Sequence, residues 1–191
     1  MQKGQQTKLD IALKVKDLFA TKGYSATSME EICQTTGRSK GSIYYHFKSK
    51  EELFLFIFRT ITEEWIQTWN EKEKYYRTTK EKLYALAEHH IDEFENPFMK
   101  AVEEFSGSQL ATKDILEEAL ELSRQPYVVY ERLIVEGMER GELKKKDART
   151  IMYILYGLMT GLGITYYDMS IEEMKDVYKE GITVFLDGMS T

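Results

Sequence analysis

Cys33 is the only cysteine in the chain, so no disulfide framework and no thiol-rich metal site can form within it. Prolines are almost as scarce. Pro97 and Pro126 are the two, which leaves long helices uninterrupted nearly everywhere. The opening MQKGQQTKLD lacks the apolar core of a secretory signal, and a cytoplasmic location is expected. Long charge-free runs are also missing, with one exception: Ile151–Tyr167 holds 17 residues without a charge. That is at the short limit for a membrane span and includes three glycines and two threonines. Its Gly157-x-x-x-Gly161 spacing resembles a membrane-helix pairing motif, but the reading adopted is a helix covered on two sides, by its own domain and by a partner subunit, with no membrane partner. No nucleophile with its base, P-loop or dinucleotide fingerprint is present, so an enzyme is not expected and no cofactor is implied. Adjacent His89 and His90 diverge by about 100° on a helix and do not converge on one ion. No metal site is expected.

What the chain does have is 42% hydrophobic and 30% charged residues, the composition of a packed globular protein. Its net charge of −6 is unevenly spread. Residues 1–50 hold nine Lys or Arg against four acidic residues, a net +5, leaving residues 51–191 at −11. A basic N-terminal module on an acidic body fits a protein whose one end meets phosphates.

The periodicity predicts an all-α fold of about nine or ten helices. A first helix runs from Gln6 to Lys22, with Gly23 as a left-handed cap. Ser28-x-x-Glu31 is a capping box opening a second helix that stops at Gly37. A third follows Ser39 and ends near His46, with Ile43 and Phe47 facing inward. A long helix starts at Lys50 and reaches about Lys74, and Thr78-x-x-Glu81 opens the next, to Phe94. Further helices follow from Asn96-Pro97, from Lys113 to Leu122, from Pro126 to Gly141, from Asp147 to Tyr167, and from Ser170 to Asp187. Residues 1–49 read as a helix-turn-helix DNA-binding domain and 50–191 as a helical effector-binding and dimerisation domain.

Two short helices joined at a glycine, the second opening on small residues, have the layout of a helix that lies in a DNA major groove. With Ile43 and Phe47 inside, Lys40, Gly41, Ser42, Tyr44, Tyr45 and His46 occupy the outer arc. Gly41 and Ser42 let the backbone approach base edges, Lys40 can reach a guanine or a phosphate, and Tyr44 and His46 can donate to phosphate oxygens. Lys48 and Lys50 follow where a strand backbone would pass. Thr27 and Ser28 offer donors at a helix start, and Ser39 and Arg38 flank the turn.

Gly23-Tyr24, Thr27-Ser28, Ile32, Gly37, Ser39-Lys40-Gly41, Tyr44, His46-Phe47-Lys48-Ser49-Lys50 and Leu53 together resemble the TetR family signature over about a quarter of the chain. Glu136-Gly137-x-Glu139-Arg140-Gly141-Glu142-Leu143 and Gly157-Leu158-x-x-Gly161-Leu162 are similar to later segments of that family. Cys33 and Arg38 depart from it, standing where a small alanine and an aliphatic residue are common, and Arg38 could add a phosphate or base contact. The resemblance implies a ligand-responsive transcriptional repressor: a homodimer on a palindromic double-stranded operator, released by a small hydrophobic or amphipathic effector. It also implies that the last two helices pair with their copies. The apolar stripe available for that is Met152, Leu155, Leu158, Met159, Leu162, Val177, Ile182 and Phe185. An effector cavity is implied too, and candidate lining residues come from the facing stripes: Trp65, Trp69, Phe94, Phe98, Met99, Phe105, Tyr127, Tyr130, Ile134, Met138, Tyr153 and Tyr156. Glu103, Glu104 or Glu136 could balance a cationic effector. The alternative is a constitutive DNA-binding or architectural dimer whose body is solid core.

Overall fold

Local capping signals set most helix boundaries in the structure, a computed structural model that describes residues 3–92, 96–106 and 112–191. Ten α-helices occur among the described residues: α1 (Lys3–Lys22), α2 (Met29–Thr36), α3 (Lys40–His46), α4 (Lys50–Lys72), α5 (Thr79–Ile91), α6 (Phe98–Ser106), α7 (Lys113–Arg124), α8 (Tyr127–Glu139), α9 (Ala148–Leu162) and α10 (Ile171–Met189). Among those residues no strand forms, only an isolated antiparallel bridge between Leu143 and Ser190. The boxes at Ser28/Glu31, Thr78/Glu81 and Ser170/Glu173 all close in both directions, each satisfying backbone donors that a helix start leaves open. Several boundaries differ from the sequence reading: α1 begins at Lys3, ahead of Gln6, and α4 gives way at Lys72 to a 3₁₀ turn, Glu73–Tyr75. The segment 148–167 is α-helical only to Leu162, after which Gly163–Tyr167 tightens into a 3₁₀ turn. The helix after Asn96 begins at Phe98, whose N–H donates to Asn96 Oδ1 at 3.2 Å. No helix among the described residues is long and apolar enough to cross a membrane.

The helices pack as two units, residues 1–63 with 96–124, and residues 64–95 with 125–191. Three short helices enclose too little apolar volume to stand alone, and the first unit supplies the remainder from α4, α6 and α7. Phe54 of α4 stacks on Phe98 (4.9 Å) and Phe105 (4.7 Å) of α6, and Phe19 of α1 meets it edge-on at 5.2 Å. Ile11, Val15, Ile32, Ile43 and Phe47 complete this core.

The second unit is built on α5, α8, α9, α10 and the end of α4. Trp69, Leu83, Leu86, Tyr130, Ile134, Leu155, Met159, Tyr178 and Ile182 fill its centre. Its rim is ionic: Arg132 holds Glu73 with two hydrogen bonds of 2.6 and 2.9 Å, and Lys82 reaches Glu136 at 3.0 Å. Gly137 is required for space, since a Cβ there would meet Leu143 and Thr79 side chains at 2.8 Å.

Candidate nucleic-acid interface

The turn between α2 and α3 is fixed by backbone geometry. Gly37 adopts φ +67°, a conformation costly for a residue with a Cβ, and the Arg38 N–H returns to Cys33 O at 3.1 Å. Ser39 then caps α3 by accepting from Ser42 N at 3.2 Å. With Ile43 fully buried and Phe47 1% exposed, the remaining side chains of a helix this short must face outward. Lys40, Gly41, Tyr44 and Lys48 are exposed, Ser42 and His46 half-buried, and Tyr45 stands 84% exposed with its ring edge-on to His46 at 5.0 Å. So large an aromatic left in solvent on a rigid, capped helix has no packing role in the chain. The Lys40 ammonium lies 5.9 Å from the Tyr44 ring centroid. Ser39, Lys40, Gly41, Ser42, Tyr44, Tyr45, His46 and Lys48 therefore share one surface.

Four candidate contacts are used inside the fold instead. Thr27 is 1% exposed, and its hydroxyl donates to Gly23 O at 2.7 Å. The Ser28 hydroxyl donates to the Glu31 carboxylate at 2.8 Å while accepting from Glu31 N. Arg38 donates to Asp10 of α1 at 3.0 Å, and this hydrogen bond holds the Asp10 carboxyl below its usual range. Lys50 donates to the carbonyls of Tyr24 and Thr27, both at 2.9 Å, and lies 4.2 Å from the Tyr24 ring centroid. Burial pulls its pKa down, opposed by Glu51 and Glu104. Thr27 and Ser28 find their partners within one turn, whereas sequence spacing cannot reveal the partners of Arg38 and Lys50, 23 to 28 positions away.

The effector candidates divide between the two cores. Phe98, Met99 and Phe105 belong to the first unit's aromatic core, where ring stacking fully occupies Phe98 and Phe105. Trp65, Trp69, Tyr130, Ile134 and Met138 are buried in the second unit, with Tyr127 and Tyr156 packed against them. Tyr153 is 48% exposed and touches Tyr127 edge-on at 5.7 Å. Phe94 lies outside the described residues. Glu104 and Glu136 already hold partners, two backbone amides for Glu104 and Lys82 with Arg132 for Glu136. Glu103 is exposed.

His89 and His90 both turn inward, which spacing alone did not indicate. His89 stacks on Trp65 at 4.6 Å and shares a 3.0 Å hydrogen bond with Trp65 O. His90 shares one of 3.0 Å with the Tyr130 hydroxyl, and burial pushes its pKa down to about 4. Burial likewise raises the Tyr130 hydroxyl and pushes Tyr156 up to about 12. The indole N–H groups of Trp65 and Trp69 are buried and meet no acceptor among the described residues.

Most of the stripe expected to face a partner is buried within the chain itself: Met152, Leu155, Met159, Ile182 and Phe185 belong to the second unit's core. Leu158, Leu162 and Val177 are half-buried. The strongest apolar face of α9 and α10 packs inward because it meets α5 and α8 in its own chain. Other apolar residues stay open: Ile154 of α9 at 55% and Val184 of α10 at 63% exposure, and Ile164 of the following 3₁₀ turn at 70%, with Gly157, Gly161 and Gly188 exposed on the two helices.

Residues 16–57 match the family described as bacterial regulatory proteins, tetR family. Residues 61–191 match the QacR-like protein, C-terminal region. The HTH-type transcriptional regulator QacR of Staphylococcus aureus is 30% identical over 176 residues, covering 92% of this chain and 94% of that protein. Among solved structures, the transcriptional regulator FadR from Bacillus subtilis in complex with stearoyl-CoA superposes with a TM-score of 0.78 at 18% identity, covering 94% of this chain and 98% of that one. A transcriptional regulator from Saccharomonospora viridis in complex with choline gives 0.76 at 21%, covering 94% and 96%.

Proposed function

The chain belongs to the TetR family of DNA-binding transcriptional regulators, and from that premise we propose that it is a repressor released from a palindromic operator by a small effector. It works as a cytoplasmic homodimer. The observation that carries DNA reading is the capped helix α3, which turns Lys40, Tyr44 and Tyr45 to solvent while Ile43 and Phe47 anchor it. A helix so held can place side chains against base edges without paying to order itself first.

The effector reading is supported by the interior of the second unit. Trp65 and Trp69 bury two indole donors that lack acceptors among the described residues, and leaving such a group unpaired costs about 1–3 kcal/mol. Tyr127, Tyr130 and Tyr156 add ring faces and hydroxyls beside them. That chemistry suits an apolar body carrying a hydrogen-bond acceptor. Stearoyl-CoA and choline are bound by two structural neighbours, which supports a fold able to take small ligands, the first of them with a long apolar chain. Release requires that the effector bind the conformation that does not fit the operator better than the one that does.

Selection of bound sequences from random DNA, followed by a compound screen for release, tests both parts. A palindromic consensus and a releasing compound are expected. A consensus that no apolar ligand weakens would instead mean a constitutive DNA-binding dimer.

A further inference from the structure

Residues 23–28 join α1 to α2 and make no base or phosphate contact in the proposed reading, yet they are held from two other helices at once. The Glu104 carboxylate of α6 accepts from Tyr24 N at 2.8 Å and from Ser25 N at 3.0 Å. The Lys50 ammonium of α4 donates to Tyr24 O and Thr27 O on the same turn, each at 2.9 Å. A carboxylate thus accepts from the turn's amides while an ammonium donates to its carbonyls. Gly23 makes the approach possible, with φ +82° and no Cβ to collide with the Glu104 carboxylate. The Tyr24 ring seals the turn beneath, 4.7 Å from Phe105 and 5.0 Å from Phe54, and its hydroxyl donates to Glu51 at 2.7 Å.

We infer that Glu104 is a positioning residue for DNA reading: its carboxylate fixes the turn from which α2 starts, and through α2 and the Gly37 turn it sets the orientation of α3. Two features separate this from ordinary core packing. Glu104 is exposed, so it buries little apolar surface. It is also an anion in the unit that meets a polyanion, so electrostatics alone would make its removal favourable to DNA binding. The lock predicts the opposite sign. Without it the turn samples other conformations, and apparent affinity falls with the fraction of molecules whose head is correctly arranged.

The inference rests on α3 being the reader, and the test keeps the two apart. Operator affinity is measured on the full-length protein with a DNA sequence selected by the parent, across a salt series, for Glu104→Ala, Glu104→Gln and the charge-matched control Glu103→Ala. Hydrogen exchange is followed at Tyr24 and Ser25. Charged-group hydrogen bonds of this kind lead us to expect about a tenfold loss of affinity for Glu104→Ala. The salt slope should not change, because the substitution leaves every phosphate-binding side chain in place. The amides of Tyr24 and Ser25 should lose protection while those of the buried helices keep theirs. Glu104→Gln retains one acceptor oxygen and similar volume and should fall between. Glu103→Ala should bind as the parent does or more tightly. Glu104→Ala or Glu104→Gln binding as tightly as Glu103→Ala overturns the inference. A parent that selects no DNA sequence overturns the reading of α3 instead.

Discussion

Two lysines that follow the same short helix end in opposite situations. Lys48 is exposed, whereas Lys50 is tied to two carbonyls. Removing a lysine that neutralises one phosphate should lower the salt slope of binding by about one unit. Lys48→Ala is therefore expected to weaken binding to all sequences alike and reduce that slope, and Lys50→Ala to leave the slope intact while lowering the stability of the first unit. Fluorescence anisotropy titrations across a salt series, paired with urea unfolding, check both halves. An unchanged slope in Lys48→Ala would place the phosphates elsewhere. His90 carries a second residue-level expectation. Its folded pKa of about 4 lies below the ordinary 6.5, so between these values the unfolded chain binds a proton that the folded one does not. Its contribution is complete above pH 6.5 and drains away as pH falls toward 4. A shift of that size corresponds to roughly 3 kcal/mol. His89, also lowered by burial, acts in the same direction. Urea midpoints measured from pH 7 to 4 should fall steeply in the parent and less in His90→Gln. Parallel curves would show that His90 does not carry the dependence.

At the scale of elements, what could be read from sequence was what is local. Ser28/Glu31, Thr78/Glu81, Ser170/Glu173 and the Gly23 and Gly37 caps each involve neighbours within a turn, so the boundaries they set are visible in the string. The inward pair Ile43 and Phe47 is fixed by a spacing of four residues, and the outer arc of α3 follows from it. Partners across helices are not legible in this way. Periodicity showed that Phe98 and Phe105 lie on an apolar face but not which core receives that face, and the structure gives them to the first unit. Arg38 and Lys50 looked like free donors for the same reason. Phe105→Ala decides between the two roles. As a stacked core ring it should cost about 3–5 kcal/mol and weaken DNA binding through loss of the folded head. As a pocket lining it would leave the melting temperature unchanged and alter only effector affinity.

For the molecule as a whole, the question is what covers the outer face of α9 and α10. The sequence offered one uncharged segment, expected to be covered by its own domain and by a partner, and an apolar stripe running on to Val177, Ile182 and Phe185 was expected to face the partner. The chain uses most of that stripe itself, because Leu155, Met159, Ile182 and Phe185 fill the centre of the second unit. On these two helices the exposed branched residues left over are Ile154 and Val184, with Gly157, Gly161 and Gly188 exposed beside them in sequence. Small residues beside branched ones allow helices of two subunits to approach closely, and these residues are where the proposed dimer would pair. Val184 and Ile154 are accordingly better probes of assembly than Phe185, whose replacement by a charge would strike the core. Ile154→Arg and Val184→Arg are expected to give folded monomers with parental helix content, since each side chain faces solvent within its own chain. Palindrome binding should fall steeply, because two reading helices one DNA turn apart, about 34–36 Å, require two subunits held together. Single half-site binding should persist, because α3 is unaltered. Light scattering together with affinity for full and half operators measures both consequences. A monomer of either variant that holds the full palindrome as tightly as the parent would show that α9 and α10 do not join the subunits.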